Sequence, residues 1–161
     1  MAGKTLILGL GNTILGDDGV GMMIAREIKA ITLPDPSVDV IEASLGGLIL
    51  LDLITGYNRV IVVDAIMTEP SSPAGFIYRL TLDDLGETVN PYASHALDLK
   101  STVELGRSFG YTMPDSVTIY AVEIKENTIF RESLTAEVQK VMPALAREIA
   151  SAAGLKPATG Y

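Results

Sequence analysis

Lysine and arginine number 12 against 20 aspartate and glutamate, so this chain of 161 residues carries a net charge of −8, with an isoelectric point near 4.5. That balance excludes nucleic acid and anionic membrane surfaces as partners, because both would repel it. The absence of cysteine excludes disulfides, thiolate metal cages and a cysteine nucleophile, so any metal must be held by oxygen or imidazole.

With 48% hydrophobic and 20% charged residues and a mean hydropathy of +0.33, the composition is that of a strongly cored globular protein. One α/β domain over residues 1–155 is expected, followed by a mobile tail, 156–161, that carries Pro157 and Gly160. The first apolar stretch runs into Asp17-Asp18 without a small-residue cleavage site, so it reads as a strand of a cytoplasmic protein. The richest apolar window further on, Leu45 to Ile54, is interrupted by Asp52 and is too short to span a bilayer. The acidic surface favours a monomer that meets its partner transiently.

Thr5 to Leu10 has the unbroken apolar character of a buried parallel strand, and it empties into a glycine-rich loop that carries Asp17 and Asp18. In an open α/β sheet ligands bind beyond the carboxyl ends of the strands, so these carboxylates face a site. Gly9-x-Gly11 opens like a dinucleotide fingerprint. However, Ile14 stands where the third glycine belongs, and the two aspartates put negative charge where a phosphate would sit. Glu42, ending the next apolar run, is the kind of acid that binds a ribose, but the electrostatics of the loop oppose a nucleotide. A plainer role for Asp17 and Asp18 is to cap a helix start.

A helix over 18–30 follows, with Val20, Met23, Ile24, Ile28 and Ile31 forming a core-facing stripe. Leu33-Pro34-Asp35-Pro36 forces a loop, Val38 to Ala43 is a second strand and Gly47 to Ile54 a second helix. Arg59 to Ile66, with its β-branched centre, is a third strand covered on both faces, and it brings Asp64 to the same sheet edge as Asp18. The Pro- and Ser-rich connection Met67 to Ala74 is too short for a crossover helix, so a strand near 76–82 runs antiparallel. Ser94 to Phe109 reads as a third helix, Ser116 to Ile124 as a fifth strand, and Thr135 to Ala153 as a last helix. That last helix is capped by Ser133 or Thr135 and kinked at Pro143. The expected architecture is a three-layer α/β sandwich, with a five-stranded, mostly parallel twisted sheet between helices.

His95 is the only histidine. At the start of the expected third helix, the positive end of the helix dipole disfavours imidazolium and keeps the ring neutral, as a metal ligand requires. Asp18, Asp64 and His95 thus come from three connections at one sheet edge. Two carboxylates and an imidazole suit a divalent ion such as zinc or nickel with one position left open.

At these residues the chain resembles the hydrogenase maturation endopeptidases that process the large subunits of nickel-iron hydrogenases, and the resemblance covers nearly its whole length. The family's opening pattern is met by Gly9, Gly11, Asn12, Gly16, Asp17, Asp18 and Gly21. Its acid at the end of a Val-Asp-Ala strand is met by Asp64, and its histidine beyond the fourth strand by His95. The resemblance implies that Asp18, Asp64 and His95 form the metal-binding and catalytic set, and that Glu42, Asn12 and Asp17 face the substrate. After the second strand this chain departs from the pattern with Glu42-Ala43-Ser44-Leu45-Gly46-Gly47. The acid is kept and the glycines are displaced, which bears on which hydrogenase is processed.

The reaction so implied is removal of the C-terminal extension from a large-subunit precursor already loaded with nickel. The substrate supplies the nickel, and another divalent ion such as zinc or cadmium can stand in its place. No His-Glu-x-x-His marks a permanent zinc protease. Two other readings remain open at this point. One is a non-catalytic hydrogenase accessory subunit or chaperone of the same fold. The other is a peptidyl-tRNA hydrolase, which shares the Gly-Leu-Gly-Asn strand end but which the negative charge opposes.

Overall fold

Apolar side chains on both faces of consecutive strands leave no solvent-facing side, and a parallel sheet buried between helices satisfies that pattern. The strands are β1 (Thr5–Leu10), β2 (Val38–Ala43), β3 (Arg59–Thr68), β4 (Ile77–Leu80), β5 (Pro91–Ala93) and β6 (Ser116–Glu123). The helices are α1 (Val20–Ile31), α2 (Leu48–Ile54), α3 (Leu99–Ser108) and α4 (Ala136–Ala152), with a 3-10 turn at Gly16–Gly19. This computed structural model describes residues 3–44 and 46–160; Met1, Ala2, Leu45 of the apolar window and Tyr161 of the tail lie outside the described residues.

The main sheet runs β2-β1-β3-β6-β4, parallel except for β4, which is antiparallel to β6. Alternate residues of each strand feed two cores. Leu6, Leu8, Val60 and Val62 pack with Leu50 and Ile54 of α2 and with Leu99 and Val103 of α3. Ile7, Ile61, Val63 and Val122 pack with Ile24 and Ile28 of α1 and with Val138, Leu145 and Ile149 of α4. Among the described residues no helix is long and apolar enough to cross a membrane.

The sheet has six strands where five are expected. The extra one, β5, is three residues long and pairs antiparallel with the end of β3 where it overhangs the main sheet. A three-residue strand that begins with proline is too short to leave a period in the sequence. The third helix also begins later than expected, at Leu99, after turns at residues 95–98 in which Ala96 N–H donates to the side chain of Asp64. At the other end, the expected mobile tail is tied to the end of α1. Leu33 N–H donates to Lys156 O and Ala158 N–H to Ile31 O, both at 2.8 Å.

Two glycines decide where α1 sits. A methyl group on Gly21 would overlap the carbonyl oxygens of Leu10 and Val63, and one on Gly9 would overlap the Gly21 carbonyl. The first turn of α1 therefore lies directly on the carboxyl end of β1 and the middle of β3, which holds the Asp18 turn over the sheet edge. Changing Gly21 to alanine is expected to cost about 3 kcal/mol through overpacking against backbone that cannot yield. Thermal melting should show this as a fall of roughly 10 °C, and an unchanged melting temperature would refute the close approach.

Candidate active site

The turn between β1 and α1 is built by its own polar groups. Asn12 Oδ1 accepts Ile14 N–H at 3.2 Å, an Asx turn, and Asn12 N–H reaches back to Asp18 O at 3.4 Å. Gly11 adopts φ of 150° where a side chain would run into Asp18 O. A second segment clamps the turn from outside, with Gly16 N–H donating to Arg131 O at 2.7 Å and Arg131 N–H to Ile14 O at 2.9 Å.

Asp17 and Asp18 are both buried and point to different partners. Asp17 Oδ1 accepts Thr135 N–H at 2.6 Å and its Oδ2 accepts Thr135 Oγ–H at 2.7 Å. Thr135 is the N-cap residue of α4, so Asp17 caps a helix across the fold, with a carboxylate at the positive end of its dipole. Replacing Asp17 by alanine is expected to cost about 2 kcal/mol. Amide exchange at Thr135 and in the first turn of α4 should accelerate, whereas a uniform change across the protein would argue against a local cap.

Asp18 turns the other way. Its Oδ2 lies 3.0 Å from His95 Nε2, joining the turn after β1 to the segment after β5. About 29% of the His95 side chain is exposed, against 8% of that of Asp18, so the imidazole is the accessible face of the pair. The expectation that His95 is held neutral by a helix start is overturned. The helix begins four residues later, and the hydrogen bond to Asp18 raises the His95 pKa above its ordinary value, with the charges of Asp64 and Asp18 adding to it and burial opposing.

Asp64 lies at the bottom of the site with no exposed surface. Its Oδ1 accepts Ala65 N–H at 2.8 Å, and its Oδ2 accepts Ser94 Oγ–H at 2.7 Å and Ala96 N–H at 2.9 Å. The two residues that flank His95 are thereby fastened to Asp64, and His95 is presented to Asp18 between them. Burial pushes the Asp64 carboxyl up to about 7, against the lowering pull of the His95 charge and of the donors from Ser94 and Ala96. Among the described residues, no group of three His, Cys, Asp or Glu side chains is arranged as a metal cage.

The pairing of Asp18 with His95, and the closeness of Asp64, thus follow the sequence expectation of one shared edge. Glu42 behaves differently: its carboxylate is 2.9 Å from Arg26 Nε and 3.6 Å from Lys29 Nζ, both on α1. Asn12 shapes the loop and Asp17 holds α4, so neither side chain is turned to the Asp18–His95 pair. Sequence reasoning offered Thr135 as a cap but not its bonds to Asp17, and it missed the hold of Ser94 on Asp64; these are the two hydroxyl residues that hold the aspartates. Their only signals were adjacency to His95 and a cap position. Chemically the arrangement offers an accessible imidazole paired with a carboxylate, beside a carboxyl poised near neutral pH, which serves either proton transfer or metal ligation.

Comparison with known proteins bears on these features. The structure resembles the hydrogenase maturating endopeptidase HybD of Escherichia coli, with a TM-score of 0.82 and 21% identity over 96% of each chain. It also resembles the NiFe hydrogenase maturation protease HycI of Thermococcus kodakarensis KOD1, with a TM-score of 0.69 and 21% identity over 94% of this chain and 92% of that one. In sequence it is 24% identical to the hydrogenase 2 maturation protease of E. coli (strain K12) over 149 residues, which is 92% of this chain and 90% of the relative. The structural likenesses speak for the fold. The family model described as hydrogenase maturation protease matches residues 22–152, which span Asp64, His95 and the whole sheet beyond β1. The chain belongs to the hydrogenase maturation protease family.

Proposed function

We propose that this endopeptidase removes the C-terminal extension from the nickel-loaded large-subunit precursor of a nickel-iron hydrogenase, and that Asp18, His95 and Asp64 form its catalytic and metal-sensing set. The observation that carries the reading is the pair formed by Asp18 and His95 at 3.0 Å, at the carboxyl edge of the sheet, where three separate connections meet. His95 and Asp18 offer one imidazole nitrogen and carboxylate oxygens to an ion presented from outside. The nickel belongs to the substrate in this reading. The donor set equally suits zinc or cadmium as a stand-in.

The surroundings favour a macromolecular substrate. Ile14 beyond β1, Leu48 and Ile49 beyond β2, Tyr92 and Leu97 on either side of His95, and Phe130 beyond β6 are all exposed, Phe130 to 80%. Apolar side chains grouped along the edge that carries the polar residues are the pattern of a docking surface for another protein. The net charge of −8 supports a monomer that meets its partner transiently.

The test is incubation of the protein with a large-subunit precursor in nickel-loaded and nickel-free forms, followed by intact mass. Loss of the C-terminal extension from the loaded form alone is the expected result. Stable binding of both forms with no loss of mass would replace this reading with that of a non-catalytic accessory subunit or chaperone.

A further inference from the structure

Glu123, the last residue of β6, has no exposed surface, and an acidic side chain is rarely buried so deeply without a partner. Both of its carboxylate oxygens are taken by one residue. Oε1 accepts Thr68 N–H at 3.3 Å and Oε2 accepts Thr68 Oγ–H at 2.9 Å. The backbone of Glu123 is engaged as well, its N–H donating to Phe76 O at 2.8 Å and its carbonyl accepting Gly75 N–H at 2.9 Å. Glu123 therefore grips the connection from β3 to β4 at both of its ends. Between them, Thr68 Oγ lies 3.2 Å from Tyr78 Oη, and Tyr78 Oη–H donates to Ser72 Oγ at 2.6 Å, so the connection is laced to the same carboxylate.

Thr68 is also where β5 is attached. Met67 pairs with Ala93 and Thr68 with Pro91, so one step along β3 is matched by two along β5 and Tyr92 is inserted as an extra residue. Glu69 N–H donates to Asn90 O at 3.1 Å and continues the attachment. Irregularities of this kind re-aim a strand, and the residue that fixes one fixes the direction of the chain beyond it. The chain beyond β5 is Ser94-His95-Ala96, held below by Asp64 and in front by Asp18.

We infer that Glu123 is a positioning residue for peptide cleavage: by fixing Thr68 it sets the anchorage of β5, and through β5 it places His95 against Asp18. This rests on the reading of His95 as part of the cleavage site. The Glu123 side chain has no exposed surface and both of its oxygens are bonded to Thr68, so the side chain acts through Thr68.

The experiment uses the full chain with Glu123→Ala, Glu123→Gln and Thr68→Val. Glutamine keeps an oxygen for Thr68 N–H, and its amide can donate to Thr68 Oγ. Valine keeps the shape of threonine and removes only the hydroxyl, so a folded variant is available even if the alanine change unfolds the chain. Two readouts are taken: the ring resonances of His95, unambiguous because the chain has a single histidine, and kcat and KM on nickel-loaded precursor. In Glu123→Ala and Thr68→Val the His95 signals move and kcat falls roughly 100-fold, the scale of a misplacement near 1 Å, with KM little changed. In Glu123→Gln the signals and kcat stay close to wild type. Unmoved His95 signals in the folded variants overturn the inference, and so do moved signals with full kcat. If wild type cleaves no precursor, the cleavage reading fails, and the resonances still report whether Glu123 places His95.

Discussion

Changing His95 to alanine is expected to lower kcat/KM for precursor cleavage by about 10³-fold or more, since in the proposed reading both proton transfer and ligation at the accessible face of the site pass through this ring. Asp18→Asn is the sharper experiment. Asparagine can still accept a hydrogen bond from His95 Nε2 through its amide oxygen, so the ring stays in place, but the negative charge that sets its affinity for protons and cations is gone. The raised pKa of His95 should then fall back toward the ordinary histidine range, because the Asp18 hydrogen bond is the largest cause of the shift. Activity should fall with it, by about 10²-fold or more. Residues that act as one unit are not additive, so the double variant should be little worse than His95→Ala alone. Melting temperatures should fall by only a few degrees in both, since neither side chain belongs to either core and what is lost is the Asp18–His95 bond. Cleavage by His95→Ala at more than a tenth of the wild-type rate would remove this residue from the mechanism.

How much of this was legible in the sequence depends on the range of the interaction involved. The bounds of β1 and β2 match the sequence expectation residue for residue, and β3 and β6 differ only at their carboxyl ends. An unbroken apolar run needs no tertiary information to be recognised as a covered parallel strand. The placing of Asp18 and Asp64 at one edge was legible for a related reason: parallel strands joined by crossover helices bring their carboxyl ends to one edge, whereas His95 is returned to that edge by β5, which runs antiparallel to β3. What was hidden was side chain bound to distant backbone. Asp17 holds Thr135 across 118 positions and Asp64 holds Ala96 across 32, and no periodicity records such bonds. The second of them fastens the turns that stand where the first turn of the third helix was expected. With that turn went the dipole argument for a neutral His95. Glu42 was placed correctly at the end of β2, but its side chain belongs to the α1 face, where Arg26 and Lys29 take it. A strand's two faces can be told apart from sequence only when one of them is polar, and β2 is half-buried along most of its length.

Asp64 makes the stability of the whole protein depend on pH. Its carboxyl is raised from 3.8 to about 7 by complete burial, so between these values the folded state holds a proton that the unfolded chain has released. Stability from this group is fully present below pH 4 and is lost as pH rises through about 7. His95 is also raised, so its contribution is present below the ordinary histidine range and is lost as pH rises through its folded value, in the same direction. For Asp64 alone the whole displacement corresponds to at most about 4 kcal/mol, of which roughly 2–3 kcal/mol is lost between pH 5 and pH 8, a decline in Tm of roughly 5–10 °C for a protein of this size. Asp64→Asn separates the two groups. Asparagine cannot ionise, so the Asp64 share of the slope disappears and only the shallower His95 share stays. Asparagine also has one acceptor oxygen to offer where Asp64 uses two, so a buried N–H is left unpaired at a cost of about 1–3 kcal/mol. The variant should therefore melt below wild type at pH 5 and at or above it at pH 8, so that the two curves of Tm against pH cross. Parallel curves would mean that Asp64 is ionised throughout and that burial does not govern it.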